Sequence, residues 1–252
     1  DPGMGRTSLA LAPSNQNIIY AASSNPATSN QPGLHAIFRS TAGGDPNTWT
    51  AQVRKSDATK LNTVLFSWTQ DAFFSDCGIG PSRLFNTGWY ANAVAVDPVD
   101  ANRVWVGGVD LFRSDDGGAN WGLASYSWID ANAPQYAHRH HHAIIFHPRY
   151  DAAGNRTMFA AGDGGIYKTV DALAATATGT TAPCNPANSV VRWTSLNRGY
   201  AATQLYHGVP HPDGTRYLAG ASSHGFLQGS DGEGVNGWRQ MLGGDGGLVA
   251  ID

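Results

Sequence analysis

Two aspartates of this chain, Asp163 and Asp245, are each followed by two glycines, and a pair of carboxyl groups can hydrolyse a glycosidic bond. Such a reaction needs one protonated carboxyl group as general acid and one ionised carboxylate as base or nucleophile. The glycines permit a sharp turn that leaves each carboxylate accessible. We therefore assign the catalytic acid and base roles to Asp163 and Asp245. The alternative interpretation is that both side chains only stabilise turns, as aspartate before glycine commonly does.

Aromatic and polar residues elsewhere in the sequence are candidates for binding a substrate. Aromatic rings present flat apolar area on which sugar rings can stack, and polar side chains beside them orient a ligand. Packing between structural units is the alternative role for the rings. The predicted substrate-binding residues are Trp89, Tyr90, Asp110, Gln204, Tyr206 and His224.

A cluster of histidines is the third candidate for chemistry, because five of the 9 histidines fall between His138 and His147. Side chains two residues apart along a strand lie on one face. In a strand, His138, His140 and His142 would share a face, and three imidazoles can bind zinc or copper. The alternative interpretation is a polar lining without a metal. The sequence predicts no other cofactor.

The composition favours strands over helices. Charged residues make up 14% of the chain, below the roughly 25% of an average globular protein, and there are 31 glycines and 13 prolines. Lysine and glutamate, which normally cover the surfaces of helices, are scarce. The chain also has 8 Trp, 9 Tyr and 9 Phe. Such a composition is typical of half-buried strands joined by tight turns.

Charge and hydropathy argue against two classes of partner. The formal net charge is -3 and no run of Lys or Arg occurs, so we expect no nucleic-acid partner. No apolar stretch reaches the ~18 residues that span a bilayer, so we expect no membrane partner. Cys77 and Cys184 are compatible with one disulfide in an oxidising compartment and equally with two buried thiols.

One pattern recurs four times along the chain. It consists of an apolar strand, a turn with proline, a second strand, a small-residue loop, a third strand and an Asp/Gly turn before Trp, and the clearest copy runs from Ala93 to Trp121. A unit of about 50 residues with three or four short strands is typical of a β-propeller blade. The sequence thus predicts one all-β domain over 1–252, a partial β-propeller of four-stranded blades. The predicted blades are at about 6–53, 89–128, 141–197 and 203–242, with a long insert at 54–88 and the start of a fifth blade at 243–252.

The turn before Trp121 carries a more specific motif. Ser114, Asp116, Gly118 and Trp121 fit S-x-D-x-G-x-x-W, in which the aspartate accepts backbone donors, the glycine supplies a positive φ, and the tryptophan packs on the sheet. This motif resembles the Asp-box, or BNR repeat, of sialidases, xyloglucanase-type glycosidases and sortilin-like domains. The other three copies depart from it. The resemblance implies that these four residues are structural.

Three longer stretches resemble large secreted bacterial BNR-repeat proteins of the glycosyl-hydrolase type. They are GWYANAVAVDP from Gly88, HRHHHAIIFHP from His138 and GDGGIYKT from Gly162. The last stretch is similar to a loop that carries a catalytic aspartate in xyloglucanase-like propellers. The resemblance implies a carbohydrate or polysaccharide partner and a secreted or periplasmic location. Whether the chain is an enzyme stays open, because a sortilin-like propeller that only recognises a protein or peptide, and a metal site on the histidine cluster, are alternatives.

Strand alternation sorts the loops of a propeller onto two faces. Loops before the first strand of a blade and loops between its second and third strands emerge on the same face, and the candidate binding and catalytic residues all fall on these loops. We therefore expect them to converge. Four blades alone would leave sheet edges and apolar faces uncovered. We expect the remaining blades, from a longer parent chain or from a second polypeptide, to cover them.

Overall fold

A computed structural model of the chain describes residues 2–27, 33–57, 61–69, 77, 85–197, 205–234 and 237–251. Within this part of the chain, 17 strands form four antiparallel sheets, here called blades 1 to 4. Helical structure among the described residues consists of four short 3-10 turns and the single residue Thr69. The predicted all-β class and the blade-like, four-stranded sheets are confirmed.

Each blade is built from strands that follow one another in the chain. Blade 1 contains β1 (Thr7–Leu11), β2 (Ile19–Ser24), β3 (Leu34–Ser40) and β4 (Trp49–Arg54). Blade 2 contains β5 (Ala93–Val96), β6 (Val104–Gly107), β7 (Leu111–Ser114) and β8 (Gly122–Leu123), and is extended by β12 (Ala177–Thr178), which pairs with β8. Blade 3 contains β9 (His141–Phe146), β10 (Met158–Gly162), β11 (Gly165–Thr169) and β13 (Thr194–Ser195). Blade 4 contains β14 (Leu205–Pro210), β15 (Arg216–Ala221), β16 (Gly225–Ser230) and β17 (Arg239–Leu242).

The chain divides into two compact units. The first comprises Asp1–Gly162 and Ile166–Leu196 and holds blades 1, 2 and 3; the second comprises Asp163–Gly165 and Asn197–Asp252 and holds blade 4. After β17 the structure has no strand over 243–251, where the first strand of a fifth blade was predicted. The Gly246 N–H donates to the Ala221 carbonyl at 2.9 Å, but a strand requires a continuous ladder of such bonds, and the described residues form none here.

Apolar side chains fill the space between successive blades of the first unit. Tyr20 and Ile37 of blade 1 share a core with Val106, Phe112 and Leu123 of blade 2, all of them buried. A second core joins blade 2 to blade 3, and its members include Trp105, Leu111, Met158, Ala160 and Tyr167. Because side chains alternate along a strand, blade 2 buries one face against blade 1 and the other against blade 3.

The predicted insert at 54–88 contributes to this interior. Leu61, Val64, Leu65 and Phe66 are buried in the core of blades 1 and 2. The backbone of Phe66 lies so close to Gly33 that a Cβ atom on residue 33 would clash with the Phe66 carbonyl group. Cys77, also in the insert, forms a disulfide with Cys184, which resolves the alternative left open by the sequence. The insert is therefore anchored to the segment that follows β12.

The turn after β7 is closed by the four residues of the predicted motif. The Ser114 hydroxyl donates to Oδ1 of Asp116 at 2.8 Å and accepts from the Gly118 N–H at 2.9 Å. Asp116 also accepts the backbone N–H of Asn120 at 2.8 Å, and the Trp121 indole donates to the Gly118 carbonyl at 2.9 Å. Each of the four residues thus makes a hydrogen bond within the turn, through its side chain or its backbone. Membership of the Asp-box family stays a prediction.

The corresponding turn of blade 1 has Ala42 in place of the aspartate. There the Ser40 hydroxyl pairs with the Thr48 hydroxyl at 2.7 Å and accepts the Gly44 N–H at 3.1 Å, while the Trp49 indole donates to the Gly44 carbonyl at 3.1 Å. A threonine hydroxyl therefore replaces the carboxylate, and the serine, glycine and tryptophan keep their roles.

Candidate functional site

Five aromatic side chains of the first unit, four on loops and one at the start of β9, contact one another and form what we call the aromatic platform. Its members are Trp68, Trp89, Tyr90, His140 and His142. The Tyr90 ring stands edge-on to both imidazoles, with ring centroids 5.5 Å from His140 and 4.9 Å from His142. Trp89 lies 5.6 Å from Tyr90, and Trp68 lies 5.6 Å from His140. Trp89 is 54% exposed and His142 is exposed, so the platform is open to solvent.

Three separate loops position the platform. Trp89 and Tyr90 lie in a tight turn before β5, in which the Thr87 carbonyl accepts the Tyr90 N–H at 2.8 Å. His140 precedes β9 and has a positive φ of 63°. Its N–H donates to the Val109 carbonyl in the loop between β6 and β7 at 3.1 Å. Trp89 and Tyr90 therefore come from the turn before β5, His140 from the loop before β9, His142 from β9 itself and Trp68 from the insert.

A positive charge lies at one end of the platform. The Arg139 guanidinium stacks over the Trp68 ring at 5.0 Å from the centroid, a cation–π distance. The Arg6 guanidinium donates to the Tyr90 carbonyl from the segment before β1. The platform thus combines flat aromatic area with N–H donors of imidazole, indole and guanidinium groups. This arrangement can bind a ligand that has apolar ring faces and hydroxyl or carbonyl acceptors.

Asp110 lies in the predicted loop, between β6 and β7, but its side chain is buried. It is fully buried, and its carboxylate accepts the Ser127 N–H at 2.8 Å together with the hydroxyls of Ser125, Ser127 and Thr69. Burial raises the pKa of Asp110 to about 7, although these hydrogen bonds favour the ionised form. Thr69 directly follows Trp68 in the chain. Asp110 therefore holds the loop that carries Trp68, and the predicted substrate contact is replaced by a structural role.

The predicted metal site is not formed. Among the described residues, no three His, Cys, Asp or Glu side chains could together hold a metal ion, so the assignment of His138, His140 and His142 as ligands is wrong. The strand begins only at His141, and the positive φ of His140 interrupts the alternation that would have put the three on one face. His140 and His142 instead pack against Tyr90.

The remaining predicted residues belong to the second unit or to segments outside the description. Asp163 lies in the turn between β10 and β11 and is half-buried. Asp245 is exposed, and its Oδ1 accepts the Ser223 N–H at 2.7 Å, which brings it to the loop that carries His224. Tyr206 on β14 is exposed. Gln204 lies outside the described residues.

Trp68 and Arg139 are members of the site that sequence reasoning missed. Trp68 lies in the insert, where no repeat pattern predicts a position, and Arg139 stands inside a histidine cluster that attracted attention only for metal binding. The sequence signal for Trp68 was its type alone, an aromatic residue in a loop.

No helix within the described ranges is both long and apolar enough to cross a membrane.

Comparisons with known proteins give likenesses at the level of structure only. No family model matches the sequence, and no curated protein matches it. The GH74 enzyme of Niastella koreensis is 20% identical with a TM-score of 0.47, over 94% of this chain and 30% of that one. The GH74 xyloglucanase of Xanthomonas campestris is 16% identical with a TM-score of 0.44, over 95% of this chain and 32% of that one. YCF48 of Cyanidioschyzon merolae is 17% identical with a TM-score of 0.35, over 95% of this chain and 57% of that one.

These three similar structures are β-propellers. This chain spans about a third of the length of the two GH74 chains and a little over half of the YCF48 chain. The likenesses extend to enzymes and to non-enzymatic propellers alike.

Proposed function

We propose that the chain is a carbohydrate-binding propeller segment and that the aromatic platform is its binding surface. The observation that carries the proposal is the exposed Trp89 ring beside Tyr90, which His140 and His142 hold edge-on. A sugar ring has apolar C–H faces that stack on aromatic rings and hydroxyl groups that bond to polar side chains at the edge. Imidazole, indole and guanidinium N–H groups provide those donors.

The platform supports binding more directly than hydrolysis. Its members are aromatic rings and imidazoles with one guanidinium beside them, whereas hydrolysis requires two carboxyl groups at the scissile bond. Asp110, whose carboxylate bonds to Thr69 beside Trp68, is buried and occupied by loop residues.

Binding is tested by titrating soluble xyloglucan, β-glucan and mannan into the chain and following tryptophan fluorescence and heat. Trp89→Ala should weaken binding of the polysaccharide by about tenfold or more, because loss of an aromatic contact is worth about 1.5 kcal/mol. Trp89→Phe keeps a flat ring and should retain most of the affinity. Val190→Ala, another exposed apolar position, should have no effect. Unchanged affinity in Trp89→Ala, or binding of peptides in place of polysaccharides, would contradict the proposal.

Glycoside hydrolysis by Asp163 and Asp245 is the finer form of this proposal. Asp245 is exposed and accepts the Ser223 N–H at 2.7 Å, and Asp163 lies in a glycine-rich turn. Release of reducing ends from a polysaccharide that the chain binds would support it. Asp163→Asn and Asp245→Asn should each abolish that release while leaving the affinity of the platform unchanged. If both variants released reducing ends as fast as the wild type, neither aspartate would be catalytic.

We also propose a secreted or periplasmic location. The disulfide between Cys77 and Cys184 supports it, because disulfides form and persist mainly in oxidising compartments.

A further inference from the structure

One face of blade 1 leaves apolar side chains in solvent. Leu9 and Leu11 on β1 are 67% and 47% exposed, and Met4 just before the strand is exposed as well. Phe38 and Trp49 complete this surface, which we call the open face of blade 1. The Arg54 guanidinium stacks over Phe38 at 5.4 Å and gives the face a positive charge.

Strand register shows what covers the equivalent face in blade 2. Leu9 pairs with Ala21 and Ala21 with Phe38, as Val94 pairs with Val106 and Val106 with Phe112. Leu11 therefore corresponds to Val96, which is only 4% exposed because blade 1 packs against it. The open face of blade 1 is thus the counterpart of the face of blade 2 that blade 1 covers.

We call the face with which blade 1 packs on blade 2, and blade 2 on blade 3, the covering side of a blade. The covering sides of blades 1 and 2 share one pair of residue types. In blade 1, Tyr20 on the second strand pairs with Arg39 on the third, and the guanidinium lies 5.7 Å from the ring centroid. In blade 2, Trp105 pairs with Arg113 at 5.6 Å. Blades 1 and 2 therefore each present to the next blade an aromatic ring with an arginine guanidinium stacked on it.

Blade 4 presents a variant of this side. Tyr217 occupies the position of Tyr20 and Trp105, and it pairs with Gly229 where the other blades have arginine. The Trp238 ring fills the space of the missing side chain, since a Cβ atom at Gly229 would stand 2.8 Å from its Cδ2. Trp238 is 42% exposed, and the Tyr217 hydroxyl donates to Asp231 at 2.8 Å. This side is aromatic and carries acidic rather than basic groups.

We propose that the open face of blade 1 is the docking surface for a second copy of this chain, which contacts it with the Tyr217–Trp238 side of blade 4. The aromatic pair supplies what blade 1 supplies to blade 2, and Asp231 of one copy complements Arg54 of the other. The contact is heterologous, because two different surfaces meet. The inference does not depend on the proposed carbohydrate site.

The test is the mass of the chain in solution, measured by light scattering after gel filtration. The wild-type chain should have at least twice the monomer mass of 26.6 kDa. Leu9→Asp and Trp238→Asp should each reduce the mass to that of the monomer, because a charge on either surface disrupts every contact between identical copies. Val99→Asp, an exposed apolar position in a turn of blade 2, is the matched control and should assemble like the wild type.

Mixing the two variants separates this arrangement from others. The Leu9→Asp copy keeps an intact blade 4 side and the Trp238→Asp copy keeps an intact open face, so an equimolar mixture should form a 1:1 dimer. A monomeric wild type, a mixture that stays monomeric, or loss of assembly in Leu9→Asp alone would each overturn the proposal. Leu11→Asp and Trp238→Gln repeat the test if circular dichroism shows that a first variant is misfolded.

Discussion

The Tyr150 hydroxyl donates a hydrogen bond of 2.6 Å to Oδ2 of Asp97 and thereby joins the first turn of blade 3 to the first turn of blade 2. The Asp97 side chain is fully buried, and it also pairs with Arg103 at 3.1 Å and accepts the Val99 N–H at 2.8 Å. Burial and the hydrogen bond to Asp97 raise the pKa of Tyr150 well above its usual range. This buried network fixes the position of one blade against the next.

Removing this hydroxyl should weaken the packing of the two blades. We expect Tyr150→Phe to lower the free energy of unfolding by about 1–2 kcal/mol, because a buried bond to a carboxylate is lost. Denaturant unfolding followed by fluorescence measures this change. Tyr217→Phe removes a similar bond to Asp231 at a solvent-exposed site and should change the free energy of unfolding much less than Tyr150→Phe. Equal losses in the two variants would contradict a special role for the bond between blades.

The ionisation of Asp110 should make stability depend on pH. Its pKa is about 7 in the folded chain and 3.8 in the absence of the folded environment, so the folded state binds this proton more tightly. The contribution of the protonated group to stability is complete below about pH 4 and is lost as the pH rises to about 7. The two pKa values set an upper limit of ~4 kcal/mol to this loss.

Asp110→Asn tests this dependence because an amide has the same shape and does not titrate. Unfolding free energies measured from about pH 4 to pH 8 should fall with pH in the wild type more than in the variant. The same slope in both proteins would show that Asp110 is not the group responsible.

The carboxylate of Asp116 should stabilise its turn in the ionised form. Partial burial raises the pKa of this group, but hydrogen bonds from Asn120 and Ser114 lower it further, so the net pKa is below its usual range. We expect Asp116→Ala to cost about 1 kcal/mol at neutral pH, a modest value because water competes at this exposed site. The cost should disappear in acid, as the pH falls through the pKa of the folded state and the carboxylate is protonated.

A matched control for this variant exists in blade 1. Asp45 takes part in the corresponding turn through its backbone carbonyl, which accepts the Thr48 hydroxyl at 2.7 Å. Asp45→Ala should therefore leave the unfolding free energy within about 0.5 kcal/mol of the wild type. If Asp45→Ala lowered the unfolding free energy as much as Asp116→Ala, the hydrogen bonds of the Asp116 carboxylate would not explain the effect.

The disulfide should stabilise the insert and, through it, the aromatic platform. Cys77 and Cys184 are 107 residues apart, and closing so long a loop restricts the unfolded chain. We expect the Cys77→Ser, Cys184→Ser double variant to lose about 2–5 kcal/mol of stability. Reductant should destabilise the wild type to the same level and leave the variant unchanged. Hydrogen exchange of the backbone at 64–69 should be faster in the variant. Unchanged exchange there would show that the disulfide does not stabilise the platform.

Features that depend on neighbours in the chain could be predicted from the sequence. The four repeats indicate blades because strand alternation and turn chemistry are local properties. One local feature was overlooked: a residue before proline closes the first turn of three blades. Asp97, His147 and His211 accept the N–H two residues further along, at 2.8, 3.0 and 3.2 Å. The sequence contains this pattern as one Asp-Pro pair and two His-Pro pairs.

Features that depend on distant segments could not be read from the sequence. In the sequence, Asp110 is one of many aspartates in short loops. It is a buried acid only because Thr69 and Ser127, from other segments, pack over it.

The sequence by itself determined the all-β class, the four-stranded blades and the type of residue at the turns, because hydrophobic alternation and turn preferences act over a few residues. The tertiary structure decided which rings meet in the aromatic platform, that Cys77 bonds to Cys184, and that the histidines pack on Tyr90 rather than around a metal. These outcomes depend on which loop lies over which blade. That arrangement follows from the burial of whole surfaces, a property of the assembled chain rather than of any local pattern.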